Sequence, residues 1–296
     1  MENPFGRLIT ALVTPFTASG EVDYPQVRKL ARAVLSSGSD AVSVTGTTGE
    51  SASLTFQEKV QLFKEVRSVT ERGQFVPAPG SEFTRESVEL AKEAYRASAD
   101  GLLLVVPYYN KPTQEGLYLH FKAIVEATPL PCLLYNVPGR TVVNLSSETT
   151  IRLSQFPNIV GIKESSGNFD QVSRIVSGCR SGFVVYAGND NETLPMMAVG
   201  GYGIFSALSN LIGVQIKTMM NAFLDGRQGE AAKIHHRIVS LNTALYSTTH
   251  PIPLKYALNK VGFRVGPPRL PLTEIDAQSA KIVDQELGKH AIDLPV

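Results

Sequence analysis

The strongest constraint on this chain is a repeated phrase: a short β-branched or leucine-rich run, then a capped amphipathic segment, the pattern of successive βα units. Eight such runs lie near Leu8–Val13, Ala41–Thr45, Phe75–Ala78, Leu102–Val106, Cys132–Tyr135, Ile159–Lys163, Val184–Ala187 and Tyr202–Ser206. Several are apolar at consecutive positions, as strands buried on both faces of a parallel sheet are. Helix starts are marked by Thr55 with Glu58, by Asn168 with Gln171, and by Asp23 ahead of Pro25. In the first helical segment Val27, Leu30, Ala31, Val34 and Leu35 form one apolar stripe, which Gly38 terminates.

Eight units in 296 residues fit a closed (β/α)8 TIM barrel better than a doubly wound sheet, which usually has about five or six strands. No Gly/Ser/Pro-rich linker interrupts the series. After about Asp225 the strand signals stop, and Glu230–Tyr246, Ile252–Val261 and Thr273–Lys289 read as helices. The expected organisation is therefore a barrel over residues 1–224 and a C-terminal helical extension over 225–296, packed on the barrel and serving packing or oligomerisation.

Charge excludes some partners. Lys and Arg number 28 against 27 for Asp and Glu, so a net charge of +1 offers no field to gather nucleic acid or an anionic membrane, and a small-molecule partner is expected. Cys132 and Cys179 are too few for a disulfide framework, and the five histidines lack metal-ligand spacing, which suits a reducing cytoplasm. Met1 to Thr10 has no charged start before an apolar run, and nowhere do about 18 apolar residues follow one another, so neither secretion nor membrane spanning is expected.

In a barrel enzyme the reacting groups stand at the carboxyl ends of strands. The polar residues here gather at those ends: Gly46-Thr47-Thr48-Gly49-Glu50, Pro107-Tyr108-Tyr109-Asn110, Tyr135-Asn136-Val137-Pro138-Gly139-Arg140 and Gly161-Ile162-Lys163-Glu164-Ser165. Lys163 ends an apolar run, and a lysine pointing inward there would be stripped of water, which disfavours the ammonium form. A neutral amine can attack a ketone and form an iminium, an electron sink for the adjacent carbon. The ordinary alternative is an exposed lysine whose stem covers apolar surface. Tyr135, with Thr47 and Tyr109, offers hydroxyls that both donate and accept and so can pass protons, although a strand tyrosine is more often core packing. Thr48, between glycines, suits a small carboxylate, and Arg140 after Pro138-Gly139 suits a second one through its planar fork; a plain tight turn and a surface arginine are the alternatives.

Together, and in this order and spacing, these four motifs resemble the dihydrodipicolinate synthase family, and Pro251-Ile252-Pro253-Leu254-Lys255 and Arg269-Leu270-Pro271-Leu272-Thr273 resemble its C-terminal motifs. The resemblance covers residues 8 to 275. It implies condensation of pyruvate with L-aspartate 4-semialdehyde to 4-hydroxy-tetrahydrodipicolinate, the entry to the diaminopimelate route to lysine. Lys163 then carries the pyruvyl imine and no separate cofactor is needed. Tyr135 exchanges protons through Thr47 and Tyr109; Thr48, Gly188 and the backbone of Phe205 hold pyruvate; Arg140 binds the aldehyde's carboxylate. The resemblance further implies a homotetramer built from two tight dimers, with Tyr109 reaching across the two-fold axis. It also places Phe56, Lys59 and Glu82 where feedback-sensitive relatives receive lysine.

The nearest rival readings are N-acetylneuraminate lyases and hydroxy-oxoglutarate aldolases, which share the barrel and the lysine; Arg140 and the paired threonines favour the synthase. A non-catalytic keto-acid-binding relative would be marked by loss of Lys163 or Tyr135, and neither is lost. A phosphate-sugar isomerase needs a phosphate cradle after the last strands, whereas Gly200-Gly201-Tyr202-Gly203 precedes one. One departure stands out: Phe75-Val76-Pro77-Ala78-Pro79-Gly80 replaces the glycine-rich stretch usual in the family, which leaves the shape of that loop open.

Overall fold

The apolar runs become strands of one parallel sheet in a computed structural model that describes residues 5–296. Part of the N-terminal stretch read for a leader, residues 1–4, lies outside the described residues. The strands are β1 (Leu8–Ala11), β2 (Ala41–Ser43), β3 (Leu102–Val105), β4 (Cys132–Asn136), β5 (Ile159–Glu164), β6 (Val184–Ala187) and β7 (Gly203–Ser206). Between and after them lie α1 (Tyr24–Ser36), α2 (Phe56–Arg67), α3 (Thr84–Arg96), α4 (Gln114–Glu126), α5 (Pro138–Thr141), α6 (Ser147–Leu153), α7 (Phe169–Gly178), α8 (Thr193–Ala198), α9 (Ser209–Leu224), α10 (Gln228–Leu245), α11 (Ile252–Lys260) and α12 (Ala277–Leu287). The sheet order is β2-β1-β7-β6-β5-β4-β3, all parallel, which makes a nearly closed barrel with helices outside.

Seven strands form where eight were expected, and the missing one is Phe75–Ala78. This segment does fill the gap between β2 and β3: Val76 and Ala78 donate to Val42 O and Val44 O, while Asp100 and Leu103 donate to Phe75 O and Pro77 O. The bonds toward β3 run one way because the returning N–H groups belong to residues 77 and 79, both prolines. The eighth stave is present in place and incomplete in pairing.

Alternation along the strands builds two concentric cores. Ile9, Ala41, Val76, Leu103, Leu133, Tyr186 and Phe205 fill the lumen. Leu8, Val42, Leu102, Leu104, Leu134, Ile162 and Ile204 face outward under the helices. The predicted caps form. Asp23 accepts from Gln26 N–H, Thr55 and Glu58 make a reciprocal capping box, and Asn168 accepts from Gln171 N–H. The three late helices fall within a few residues of their expected positions, and Ile234, Ile238, Leu241 and Leu254 join the outer core, so the extension shares buried surface with the barrel.

Candidate active site

The same alternation aims the chemistry. Tyr135 is in register with Lys163, and Lys163 with Tyr186, so all three enter the lumen; Tyr135 and Lys163 line the cavity at the carboxyl end, while Tyr186 turns the other way and donates to Gly6 O ahead of β1. Lys163 is 6% exposed, its Nζ lies 4.1 Å from the Tyr135 ring centroid and 5.5 Å from that of Phe205. Among the described residues no carboxylate lies within 4 Å of it.

Gly188 follows β6 and lies along this lysine. A Cβ there would stand 1.8 Å from Ser165 Oγ and 3.0 Å from Lys163 Cε, so the backbone approaches as closely as it does because no side chain intervenes. A narrow cavity of about 50 Å³ opens above, with Thr47, Thr48, Tyr135, Arg140, Lys163, Gly188, Phe205, Tyr246 and His250 on its walls. At roughly 10–15 Å³ per water-sized group this holds about four such groups, so the space admits only a small ligand. Thr47, Tyr135, Arg140 and His250 also border a wider cleft of about 440 Å³, which runs outward past Tyr108, Thr249, Pro271 and Leu272.

The Gly46–Gly49 loop is held in an uncommon shape. Thr45 and Glu50, at its two ends, have φ of 59° and 55°, the left-handed region that costs a β-branched residue most. Compensation is visible: Thr45 Oγ1 lies 2.6 and 2.8 Å from the carbonyl oxygens of Val44 and Ala78, and Thr14 Oγ1 donates to Gly49 O at 2.7 Å. Glu50 is buried and receives Lys255 Nζ at 2.7 Å and the Arg269 N–H at 2.9 Å. Lys255 donates its remaining hydrogens to Thr14 O and Pro267 O, and Arg269 grips Glu58 through two bonds of 2.6 and 2.9 Å. Burial draws Lys255 down to about 8, and Glu50 opposes that shift. The two C-terminal motifs thus act as the anchor of the threonine loop.

Beneath Lys163 lies a buried polar layer. Glu164 accepts from Asn136 Nδ2, Gln171 Nε2 and the Ser166 N–H, and burial raises its carboxyl above the ordinary range against those donors. Asp190, also buried, accepts from Ser206 Oγ and from the N–H groups of Ala207 and Leu208 at the start of α9; burial raises it, and the nearby positive charge of Lys163 pulls the other way.

Most of the residues singled out in the sequence meet at one place: Lys163, Tyr135, Thr47, Thr48, Arg140, Gly188 and Phe205 share the narrow cavity. Tyr109 does not. Its side chain is 91% exposed on a left-handed backbone position (φ 70°), so within one chain the expected hydroxyl series stops at Thr47 and Tyr135. Among the wall residues that went unrecognised in the sequence are Asn189, after β6, and Tyr246 and His250, which come from the extension. His250 precedes the Pro-Ile-Pro motif, and that neighbourhood was the one available signal.

Fold and cavity together define a parallel-barrel enzyme with a buried lysine at a strand end. Comparison with known proteins narrows this: residues 4–290 match the model of the dihydrodipicolinate synthetase family. A 4-hydroxy-tetrahydrodipicolinate synthase of Dehalococcoides mccartyi is 52% identical over 292 residues, covering 98% of each chain. One of Thermosynechococcus vestitus is 50% identical over 271 residues, covering 91% of this chain and 92% of the relative. The crystal structure of the Cyanidioschyzon merolae enzyme with lysine bound superposes with a TM-score of 0.95 at 45% identity, covering 97% of this chain and 98% of that one. The chain belongs to the dihydrodipicolinate synthetase family and is a lyase.

Proposed function

We propose that the chain condenses pyruvate with L-aspartate 4-semialdehyde to 4-hydroxy-tetrahydrodipicolinate, through a pyruvyl imine on Lys163. The observation that carries this reading is the Lys163 amine, buried without a carboxylate partner between Tyr135 and Phe205 and facing a narrow cavity lined by Thr47, Thr48 and Arg140. The amine adds to the keto carbon and water leaves. The iminium then accepts the electron pair freed when the pyruvyl methyl loses a proton, giving an enamine that attacks the aldehyde. Tyr135 and Thr47, on the cavity wall, suit the proton transfers; Thr48, Gly188 and the Phe205 backbone suit pyruvate. Arg140, which borders both spaces and has no ion pair among the described residues, suits the aldehyde's carboxylate. The aldehyde substrate's own amine displaces Lys163 from the imine carbon, which closes the ring and frees the enzyme. No metal enters the scheme.

We assign Tyr109 to the site of a second copy, within a homotetramer of two tight dimers. Its near-complete exposure, with Phe83 52% exposed in the loop that Asn110 contacts through Glu82 O, supports this, because a closed two-fold interface would cover both and exchange the tyrosines reciprocally. The free thiols Cys132 and Cys179 accord with a cytoplasmic setting. The test is a coupled assay with a downstream reductase, supplying pyruvate and aspartate semialdehyde. The wild type turns over; Lys163→Ala loses far more rate than Arg140→Ala, and mixed Tyr109→Phe and Tyr135→Phe subunits regain activity that neither has alone. Turnover with another aldehyde but not with aspartate semialdehyde contradicts the substrate. Mixed subunits that gain nothing contradict the shared site.

A further inference from the structure

The small cavity contains a side chain that the scheme above leaves unused. His250 is 5% exposed, and its Nε2 lies 3.0 Å from Thr48 Oγ1, the hydroxyl assigned to pyruvate's carboxylate. Its other nitrogen, Nδ1, is buried and meets no hydrogen-bond partner. The ring stacks nearly parallel on Tyr246, centroids 4.8 Å apart and planes 8° from one another, which fixes its plane. Both residues belong to the extension and both line the cavity that contains Lys163.

A threonine hydroxyl has a single proton, so the bond to His250 admits two arrangements. In one, Thr48 donates to a bare Nε2; its proton is spent, only lone pairs face the cavity, and Nδ1–H becomes a buried donor with no acceptor. In the other, Nε2–H donates to Thr48 Oγ1, the Thr48 proton is free to point into the cavity, and Nδ1 is left as a lone pair. A buried N–H without an acceptor is the rarer and costlier fault. The same choice gives a carboxylate a donor and spares it a repelling lone pair.

We propose that His250 is a positioning residue, which, as the Nε2–H tautomer, donates to Thr48 and so commits the Thr48 hydroxyl to donate to the carboxylate of the keto acid. The inference rests on the assignment of the narrow cavity to pyruvate. The surroundings keep the ring uncharged: burial first, then the positive charges of Arg140 and Lys163, hold His250 down to about 3. The other ionisable neighbours on the cavity side are Tyr135, Tyr246 and the buried Asp190, whose charge is engaged by Ser206 and the start of α9. A protonated ring would donate from both nitrogens and would place a third cation beside Arg140 and Lys163.

The direct test uses the wild-type protein with ¹⁵N-labelled histidine. The ring nitrogen shifts of His250, assigned by their loss in His250→Gln, should report Nε2–H and a bare Nδ1 at neutral pH; an Nδ1–H tautomer overturns the proposal. The functional test is a cycle with Thr48→Val, read by the pyruvate concentration that half-saturates borohydride trapping. His250→Phe keeps the stack on Tyr246 and loses the donor, so half-saturation should rise about tenfold, with the KM for the aldehyde unchanged. His250→Gln, which returns an N–H near the Nε2 position, should recover most of that loss. In the Thr48→Val background, His250→Phe should add less than about twofold, since the hydroxyl it positions is gone. Equal effects with and without Thr48, or a loss spread over both substrates and kcat, would show a merely structural histidine. If the wild type traps no pyruvate at all, the assignment of the cavity fails, and that outcome is distinct from a wild type that traps normally while His250→Phe behaves identically.

Discussion

Replacing Lys255 with methionine should destabilise the protein out of proportion to the single charge removed. The Lys255 ammonium spends its three hydrogens on Glu50 Oε1 (2.7 Å), Pro267 O (2.9 Å) and Thr14 O (3.0 Å), and it lies 4.2 Å from the Phe16 ring centroid. Methionine fills a similar volume but leaves the Glu50 carboxylate, whose side chain is fully buried, with the Arg269 N–H as its one remaining donor. Breaking one partner of a buried pair costs about 3–5 kcal/mol, because the survivor remains charged and dry. With a urea dependence of about 3 kcal/mol per molar, that is a midpoint shift of about 1 M, measured at pH 7 and fixed protomer concentration. Adding Glu50→Gln to Lys255→Met removes the stranded charge and should restore at least half of the loss. Pyruvate affinity should follow the same order, since Glu50 ends the loop that carries Thr47 and Thr48. A shift below about 0.3 M, or a double variant less stable than Lys255→Met alone, would refute the anchoring role given to this pair.

Two buried histidines should make the fold weaker in acid. Burial holds His250 down to about 3 and His120 to about 4, so between there and about 6.5 the unfolded chain binds protons that the folded one refuses, and stability falls as pH falls. At pH 5 each histidine accounts for about 2 kcal/mol relative to pH 7, and urea midpoints that do not move over that interval would contradict the assignment. Gly188→Ala should reduce turnover by about a hundredfold, because the new methyl, 1.8 Å from Ser165 Oγ and 3.0 Å from Lys163 Cε, forces both to shift. Retention of full activity would show that the contact yields easily. Lysine should inhibit weakly: Lys59, 5% exposed with its Nζ 3.8 Å from Glu86 Oε1, already puts an ammonium where the resemblance places the ligand's, and Phe56 offers no hydrogen bond. In a titration at limiting pyruvate, half-inhibition below about 1 mM, an affinity near 4 kcal/mol, would show a working site.

Much of this could be read from the chain because local and global signals agree. Strands β1 to β7 coincide with apolar runs, and Asp23, Thr55 and Asn168 cap the helices they were expected to start. The exception, Phe75–Ala78, reads as a strand by hydrophobicity, while Pro77 and Pro79 leave its bonds toward β3 one-way. The site was legible where a motif ends a strand, since alternation dictates that Tyr135 and Lys163 share a face. It was not legible where a residue arrives by tertiary packing. His250 and Tyr246 reach the cavity from the extension, over 80 residues beyond Lys163, and nothing in their local pattern marks a wall of the barrel mouth. Asp190 and Glu164 were hidden for a different reason: their partners are backbone N–H groups and side-chain amides and hydroxyls, without the opposite charge that would flag a buried acid.

The central claim is that Lys163 is the amine that takes up pyruvate. Borohydride added with pyruvate should leave one reduced pyruvyl group per chain, and peptide mapping should find it on Lys163, with none on the protein treated without pyruvate. An adduct on another lysine, or active protein that acquires none, contradicts the mechanism.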